Sequence, residues 1–215
     1  IINQVCGSGL RSIISGYQSI KLQENKIIVA GGQENMSRAP HAIFYREDKK
    51  LDENKLVDTM INDGLIDSFN NYHMGITAEN VAEKYKISRD EQDLFALNSQ
   101  EKTQKATNEN RFKNELIKLK INTDDKNFIF EKDEHPRNNL NLEDLKKLKT
   151  VFKENGTVTA GNSSGINDGA AATILMSREE AELRGIEPLA KVVSWATCGV
   201  EPSLMGLGPI KAVNL

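Results

Sequence analysis

Asn3-Gln-Val-Cys-Gly-Ser-Gly-Leu-Arg-Ser12 is the stretch on which the reading of this chain turns. Cys6 closes a short apolar segment of Ile1, Ile2 and Val5, and two glycines flanking a serine follow it at once. Beyond them Leu10, Ile13, Ile14 and Tyr17 recur at i, i+3, i+4 and i+7, one face of an amphipathic helix. The pattern predicts a strand, a tight Gly-Ser-Gly turn and a helix, with the thiol at the helix N-terminus. Unpaired backbone N–H groups and the helix dipole favour a thiolate at such a place. The glycines let backbone approach whatever the sulfur attacks, and their N–H groups suit a developing oxyanion. Two readings stand at this point: a nucleophilic cysteine, or a structural cysteine buried beside a helix-starting turn.

Bulk properties narrow the class. The 215 residues suffice for one large domain or two small ones, and 38% hydrophobic with 27% charged residues is an ordinary globular balance. A net charge of −3, with Lys and Arg interleaved among Asp and Glu, points to neither a nucleic-acid binder nor a membrane-surface protein. No apolar run approaches a membrane span, and no signal peptide opens the chain. The two cysteines, Cys6 and Cys198, lie far apart, which suits a reducing compartment and a cytoplasmic protein. The chain starts without Met inside an apparent strand and stops after the first turn of an apparent helix, as a piece of a longer protein would.

Lys26-Ile-Ile-Val-Ala-Gly-Gly32 reads as a buried strand, so residues 1–32 suggest the strand–helix–strand unit of a parallel sheet. From Gln33 to about Ile166 charge rises and apolar runs shorten, with residues 45–60 an exposed excursion. A helix is expected from near Thr77, and Ser88-Arg-Asp-Glu91 is a capping box that opens a long polar helix to about Thr107. Leu116–Ile121 and Phe128–Phe130 suggest a hairpin, and Leu142, Leu145 and Leu148 a short helix. Ala170–Met176 is a second buried strand, Ser177 caps another helix ended by Gly185, and Leu189–Trp195 reads as a further strand after a Pro188 linker.

Two further segments suit ligand contact. Asn155-Gly-Thr-Val-Thr-Ala-Gly-Asn-Ser-Ser-Gly-Ile-Asn-Asp-Gly169 is small, nearly uncharged, and able to lay backbone along an extended ligand; the alternative is a tight loop needing positive φ. It lacks the Gly-Lys-Ser/Thr of a phosphate loop. Met205-Gly-Leu-Gly-Pro209 is a turn before a helix. Neither the histidines nor the two cysteines have metal-ligand spacing, so no metal is expected.

Together these segments resemble the thiolases. The resemblance rests on Asn3–Arg11, Ala30-Gly-Gly-Gln-Glu-Asn-Met-Ser37, Tyr72-His-Met-Gly75, Ala78-Glu-Asn80, Ser88–Asp93, Gly156–Asn162, Gly165-Ile-Asn-Asp-Gly-Ala170 and Met205–Pro209. They come in the family's order along the whole chain, closest to the acetyl-CoA acetyltransferase branch. The resemblance implies an α/β, layered αβαβα fold, incomplete at both ends, with an α+β loop-domain insertion. Residues 1–35 would belong to the N-terminal thiolase domain and residues 36–166 to a loop domain shaping a coenzyme A tunnel and tetramer contacts. Residues 167–187 would be the last strand and helix of the N-terminal domain, and 188–215 the start of the C-terminal one.

By the same resemblance Cys6 would be the acyl-accepting nucleophile, its backbone N–H a donor to the oxyanion. The reaction would condense two acetyl-CoA into acetoacetyl-CoA and CoA, or run as the reverse thiolysis, through an acetyl-Cys6 intermediate in fatty acid metabolism. Leu65, His73 and Met74 would line the pantetheine and acyl end, Arg137 the nucleotide phosphates, Phe152, Ala160, Ser164 and Ile166 the tunnel, and Met205 the acyl pocket. His73-Met74 favours short acyl chains. Asp144 stands where the family often has serine, which sets a carboxylate near the nucleotide end. Coenzyme A thioesters would be substrates, with no cofactor required, and the protein a homo-oligomer, a tetramer built as a dimer of dimers through residues 42–60. The family's histidine, its Asn-Glu-Ala-Phe asparagine and its second cysteine would lie beyond residue 215, leaving the 215-residue piece inactive and poorly folded. A longer-chain 3-ketoacyl-CoA thiolase and a non-catalytic acyl-CoA-binding homologue are the competing readings; the motifs of residues 36–166 speak against a carrier-protein synthase.

Overall fold

The computed structural model describes residues 1–45, 55–123 and 126–215. In chain order the described elements are α1 (Ser8–Lys21), β1 (Ile27–Glu34), β2 (His41–Ala42), β3 (Val57–Asp58), β4 (Ile66–Asp67), β5 (Tyr72–His73), α2 (Met74–Tyr85), α3 (Arg89–Asn108), β6 (Leu119–Asn122), β7 (Asn127–Phe130), α4 (Leu142–Lys146), β8 (Gly169–Met176), α5 (Arg178–Leu183) and α6 (Gly208–Asn214). Turns of 3-10 helix cover Val5–Gly7, Met36–Arg38 and Pro202–Leu207, and a π turn covers Met60–Leu65. The chain forms two compact units, Ile1–Met74 with Ile166–Leu215, and Gly75–Gly165.

In the first unit α1 lies on a ribbon made by β1 and β8, which pair antiparallel from Ile27↔Met176 to Glu34↔Gly169. The apolar stripe of α1 supplies the contact, with Ile14 buried. At Gly16 the helix comes so near the ribbon that a Cβ would stand 2.8 Å from Leu175 Cδ1 and 3.1 Å from Ile28 Cγ2. The Ser12 hydroxyl donates to the Gly31 carbonyl at 2.7 Å, and Thr173 Oγ1 to the Ala30 carbonyl at 3.1 Å. The other ribbon face is open: Val29 is 70% and Ile174 66% exposed. Short ladders β2–β3 and β4–β5 complete this unit's pairing among the described residues.

Three expectations are corrected here. Residues 1–4 form no strand, β1 pairs antiparallel rather than in a parallel unit, and Leu189–Trp195 is irregular, with Leu189 and Val193 exposed. The cause is common to all three. Apolar, β-branched composition marks a segment fit for a sheet, but a strand exists only where a second strand completes its hydrogen bonds. The strands expected as buried are also half open, since only α1 covers the ribbon.

The second unit packs α2, α3 and α4 against the segment 150–162. Ala82, Leu145 and Val158 are its buried apolar residues, joined by buried Thr77, Glu79, Asp93 and Thr159. The capping box at α3 forms as expected, Ser88 accepting from the Glu91 N–H and Glu91 from the Ser88 N–H. The hairpin β6–β7 pairs Leu119↔Phe130 to Asn122↔Asn127, shorter at its start than residue 116. This unit begins at residue 75, whereas the expected loop domain began at 36; residues 36–74 group with the first unit. Residues 46–54, the middle of the excursion at 45–60 and of the expected tetramer segment 42–60, lie outside the described residues.

Candidate active site

Cys6 is exposed, in the 3-10 turn that runs directly into α1. The turn is knitted by its own polar groups. The Gln4 N–H donates to Ser8 Oγ at 2.8 Å, Ser8 Oγ donates to the Val5 carbonyl at 2.8 Å, and the Val5 N–H donates to Asn3 Oδ1 at 3.0 Å. Val5 carries φ +50°, a left-handed conformation that a β-branched residue adopts only when its surroundings impose it. The backbone thus turns at the residue before the thiol, and the sulfur is exposed. Gly9 and Gly32 let α1 and β1 meet, since a Cβ on Gly32 would lie 3.2 Å from Gly9 Cα. The Cys6 sulfur is exposed on this turn, where the alternative reading expected a buried cysteine.

The residues expected around coenzyme A divide between the units. Leu65, His73, Met74, Ile166 and Met205 belong with Cys6 to the first; Arg137, Phe152, Ala160 and Ser164 belong to the second. Leu65 ends the π turn Met60–Leu65, whose start is held by Asp58 Oδ1 accepting from the Met60 N–H at 2.9 Å. His73 sits in β5 opposite Ile66. The β4–β5 turn is fixed by Asp67, which accepts from Asn70 Nδ2 at 2.6 Å and the Phe69 N–H at 2.9 Å. The Asn70 amide, with the Phe69 N–H, holds the Asp67 carboxyl below its ordinary value. His73 and Met74 are half-buried, and Ile166 and Met205 are exposed. In the first unit Ser37 grips Asp168 twice, through its N–H at 2.9 Å and its Oγ at 2.5 Å, tying the chain after β1 to the chain before β8.

In the second unit the Phe152 ring lies against Gly75, where a Cβ would run into it. Arg137 is exposed and anchored by its N–H to Gln100 Oε1 at 2.9 Å. Asp144 lies in the first turn of α4, its N–H donating to the capping Asn141 Oδ1 at 3.0 Å, and its own Oδ1 stands 3.5 Å from Lys147 Nζ.

Sequence reasoning missed the groups that shape the Gly-rich segment. Glu79 Oε1 accepts from the N–H groups of Thr157 and Val158 at 2.9 and 2.8 Å, and Oε2 from Thr157 Oγ1 at 2.9 Å. Asp93, fully buried, accepts from Arg89 Nε at 2.7 Å and from Asn162 Nδ2 at 3.0 Å. Arg89 also donates to the carbonyls of Leu145 and Leu148 at 2.6 and 3.1 Å. The available signal was Glu79 at i−3 from Ala82 on an apolar helix face, and Arg89–Asp93 at i, i+4. Among the described residues no group of three or more His, Cys, Asp or Glu is placed to hold a metal, and no helix is long and apolar enough to cross a membrane.

Comparison with known proteins adds four findings. The family described as "Thiolase, N-terminal domain" matches residues 1–179. An acetyl-CoA acetyltransferase of Rhizobium meliloti (strain 1021) is 51% identical over 211 residues, covering 98% of this chain and 54% of that protein. The crystal structure of the Bacillus anthracis acetyl-CoA acetyltransferase superposes with a TM-score of 0.91 at 40% identity, over 99% of this chain and 54% of that one. Human mitochondrial 3-ketoacyl-CoA thiolase superposes with a TM-score of 0.90 at 38% identity, over the same shares. The chain spans about half the length of the curated relatives it matches, and over that span its α/β fold is theirs. It belongs to the thiolase family.

Proposed function

We propose that the protein carrying this chain is an acetyl-CoA C-acetyltransferase with Cys6 as nucleophile. The observation that carries the reading is the exposed Cys6 on its enforced turn, in a chain half-identical to a protein named for that activity. The Cys6 thiolate attacks the carbonyl carbon of acetyl-CoA; the tetrahedral oxyanion collapses, expelling CoA thiolate, which takes up the proton that Cys6 released. A second acetyl-CoA loses a proton from its methyl carbon, and that carbon attacks the acetyl-enzyme, forming the new C–C bond and breaking the Cys6 S–C bond. The products are acetoacetyl-CoA and the free thiol, and each step reverses as thiolysis. A covalent intermediate divides one hard condensation into two easier transfers, and backbone N–H groups at the Cys6 turn suit the oxyanion.

Leu65, His73, Met74, Arg137, Phe152, Ala160, Ser164 and Ile166 take the roles given above within the loop domain, and Met205 meets the acyl pocket from the C-terminal part. Coenzyme A thioesters are substrates, no metal or cofactor takes part, and the base and acid that serve Cys6 come from the half of the relatives' length that this chain does not span. A cytoplasmic tetramer in fatty acid metabolism fits the same reading. Mass spectrometry of the complete polypeptide after acetyl-CoA is expected to show one acetyl group on Cys6, absent in Cys6→Ala; no adduct on the wild type sinks the mechanism. The likeness to a 3-ketoacyl-CoA thiolase favours a second reading, longer-chain thiolysis. Relative rates on acetoacetyl-CoA and a long-chain 3-ketoacyl-CoA decide between them.

A further inference from the structure

We infer that Glu79 is a positioning residue for the coenzyme A thioester, acting through the segment Thr157–Asn162. The inference rests on the functional reading above. Nearly every member of that segment is pinned from behind. Glu79, only 3% exposed, takes both the Thr157 and Val158 N–H groups and the Thr157 hydroxyl. Val158 and Thr159 are buried, and the Thr159 N–H donates to Asn162 Oδ1 at 2.8 Å. Gly161 lies against Leu145 and Leu148, where a Cβ would stand 2.5 Å from both side chains. Asn162 Nδ2 bridges the Asp93 carboxylate and the Thr157 carbonyl, each at 3.0 Å.

Ala160 alone of the six is exposed, and the chain stays exposed from Ser164 onward. A buried carboxylate without a cation bonded to it is costly, and it is retained here with every acceptor bond directed at one loop. A loop merely closing the fold needs no such rigidity at an exposed alanine. A wall against which a flexible pantetheine chain must lie does, because an ordered wall lowers the entropy lost on binding.

The test uses the complete polypeptide. Glu79→Ala is expected to raise KM for acetoacetyl-CoA tenfold or more with kcat within threefold. The rate at which iodoacetamide alkylates Cys6 is expected to stay as in the wild type. Glu79→Gln, which keeps one oxygen for the two N–H groups, is expected to regain most of the loss. Gly156→Ala, whose new methyl would meet the Glu79 carboxylate, tests the same contact should Glu79→Ala not fold, and is expected to raise KM likewise. An unchanged KM in folded Glu79→Ala or Gly156→Ala overturns the inference, as does a joint fall of kcat and of Cys6 alkylation. Failure of the functional reading looks different, since the wild type itself then leaves acetoacetyl-CoA untouched.

Discussion

At the scale of single residues, the loops that carry the candidate residues owe their form to polar side chains bonded to backbone. Asp168 shows how that dependence is measured. The Ser37 hydroxyl, helped by the Ser37 N–H, keeps the Asp168 carboxyl below its ordinary value of 3.8. A group whose value is lowered on folding contributes stability at pH above its unfolded value and loses it as pH falls through the folded one. Ser37→Ala is therefore expected to lower the Tm of the complete polypeptide near neutrality. The gap to wild type closes as pH drops below the ordinary carboxylate range, and a gap that stays constant into strong acid refutes the assignment. The helix that follows Cys6 was legible because its signal is local, an apolar face recurring within a few turns. Asp168 was quoted with its motif, yet its task was hidden, since Ser37 stands 131 positions away.

At the scale of elements, those written by local rules were legible and those needing a distant partner were not. The start of α3 is the clearest local case. Ser88 and Glu91 exchange bonds as the capping box requires, and the Ser88 hydroxyl holds the Glu91 carboxyl below its ordinary value. Ser88→Ala is expected to cost about 1 kcal/mol, read as a lower urea midpoint at unchanged slope, with Cys6 alkylation unaffected. The caps of α4 and α5, the hairpin β6–β7 and the apolar stripe of α1 follow equally from short-range pattern. The direction of β1 does not. Its residues satisfy a parallel or an antiparallel neighbour alike, and only the chain around residue 170 decides. Residues 1–4 and 189–195 failed for the same reason, being apolar enough for a sheet but unmatched by a second strand.

At the scale of the molecule, the ribbon of β1 and β8 is covered on one face only, with Val29 and Ile174 open on the other. α1 packs one face of the ribbon, but the other leaves a row of apolar side chains in water, a surface on which a hydrophobic dye binds. The polypeptide of residues 1–215 alone is accordingly expected to bind ANS, to melt with little cooperativity and to leave acetoacetyl-CoA unchanged; turnover by that piece defeats the assignment of its base and acid to the remaining polypeptide. The sequence located a change of character near residue 33, whereas the compact unit starts at residue 75. Composition alters where surface charge rises; a compact unit begins where packing partners change. The pairing of Ile27–Glu34 with Gly169–Met176 also has a consequence in time. During synthesis β1 leaves the ribosome long before its partner, and residues 35–168 must follow first, on the order of ten seconds at ordinary elongation rates. Residues 75–165 are complete within that interval and can close their own core early. The ribbon on which α1 lies is therefore closed late, by a long-range pairing made after the intervening unit is complete.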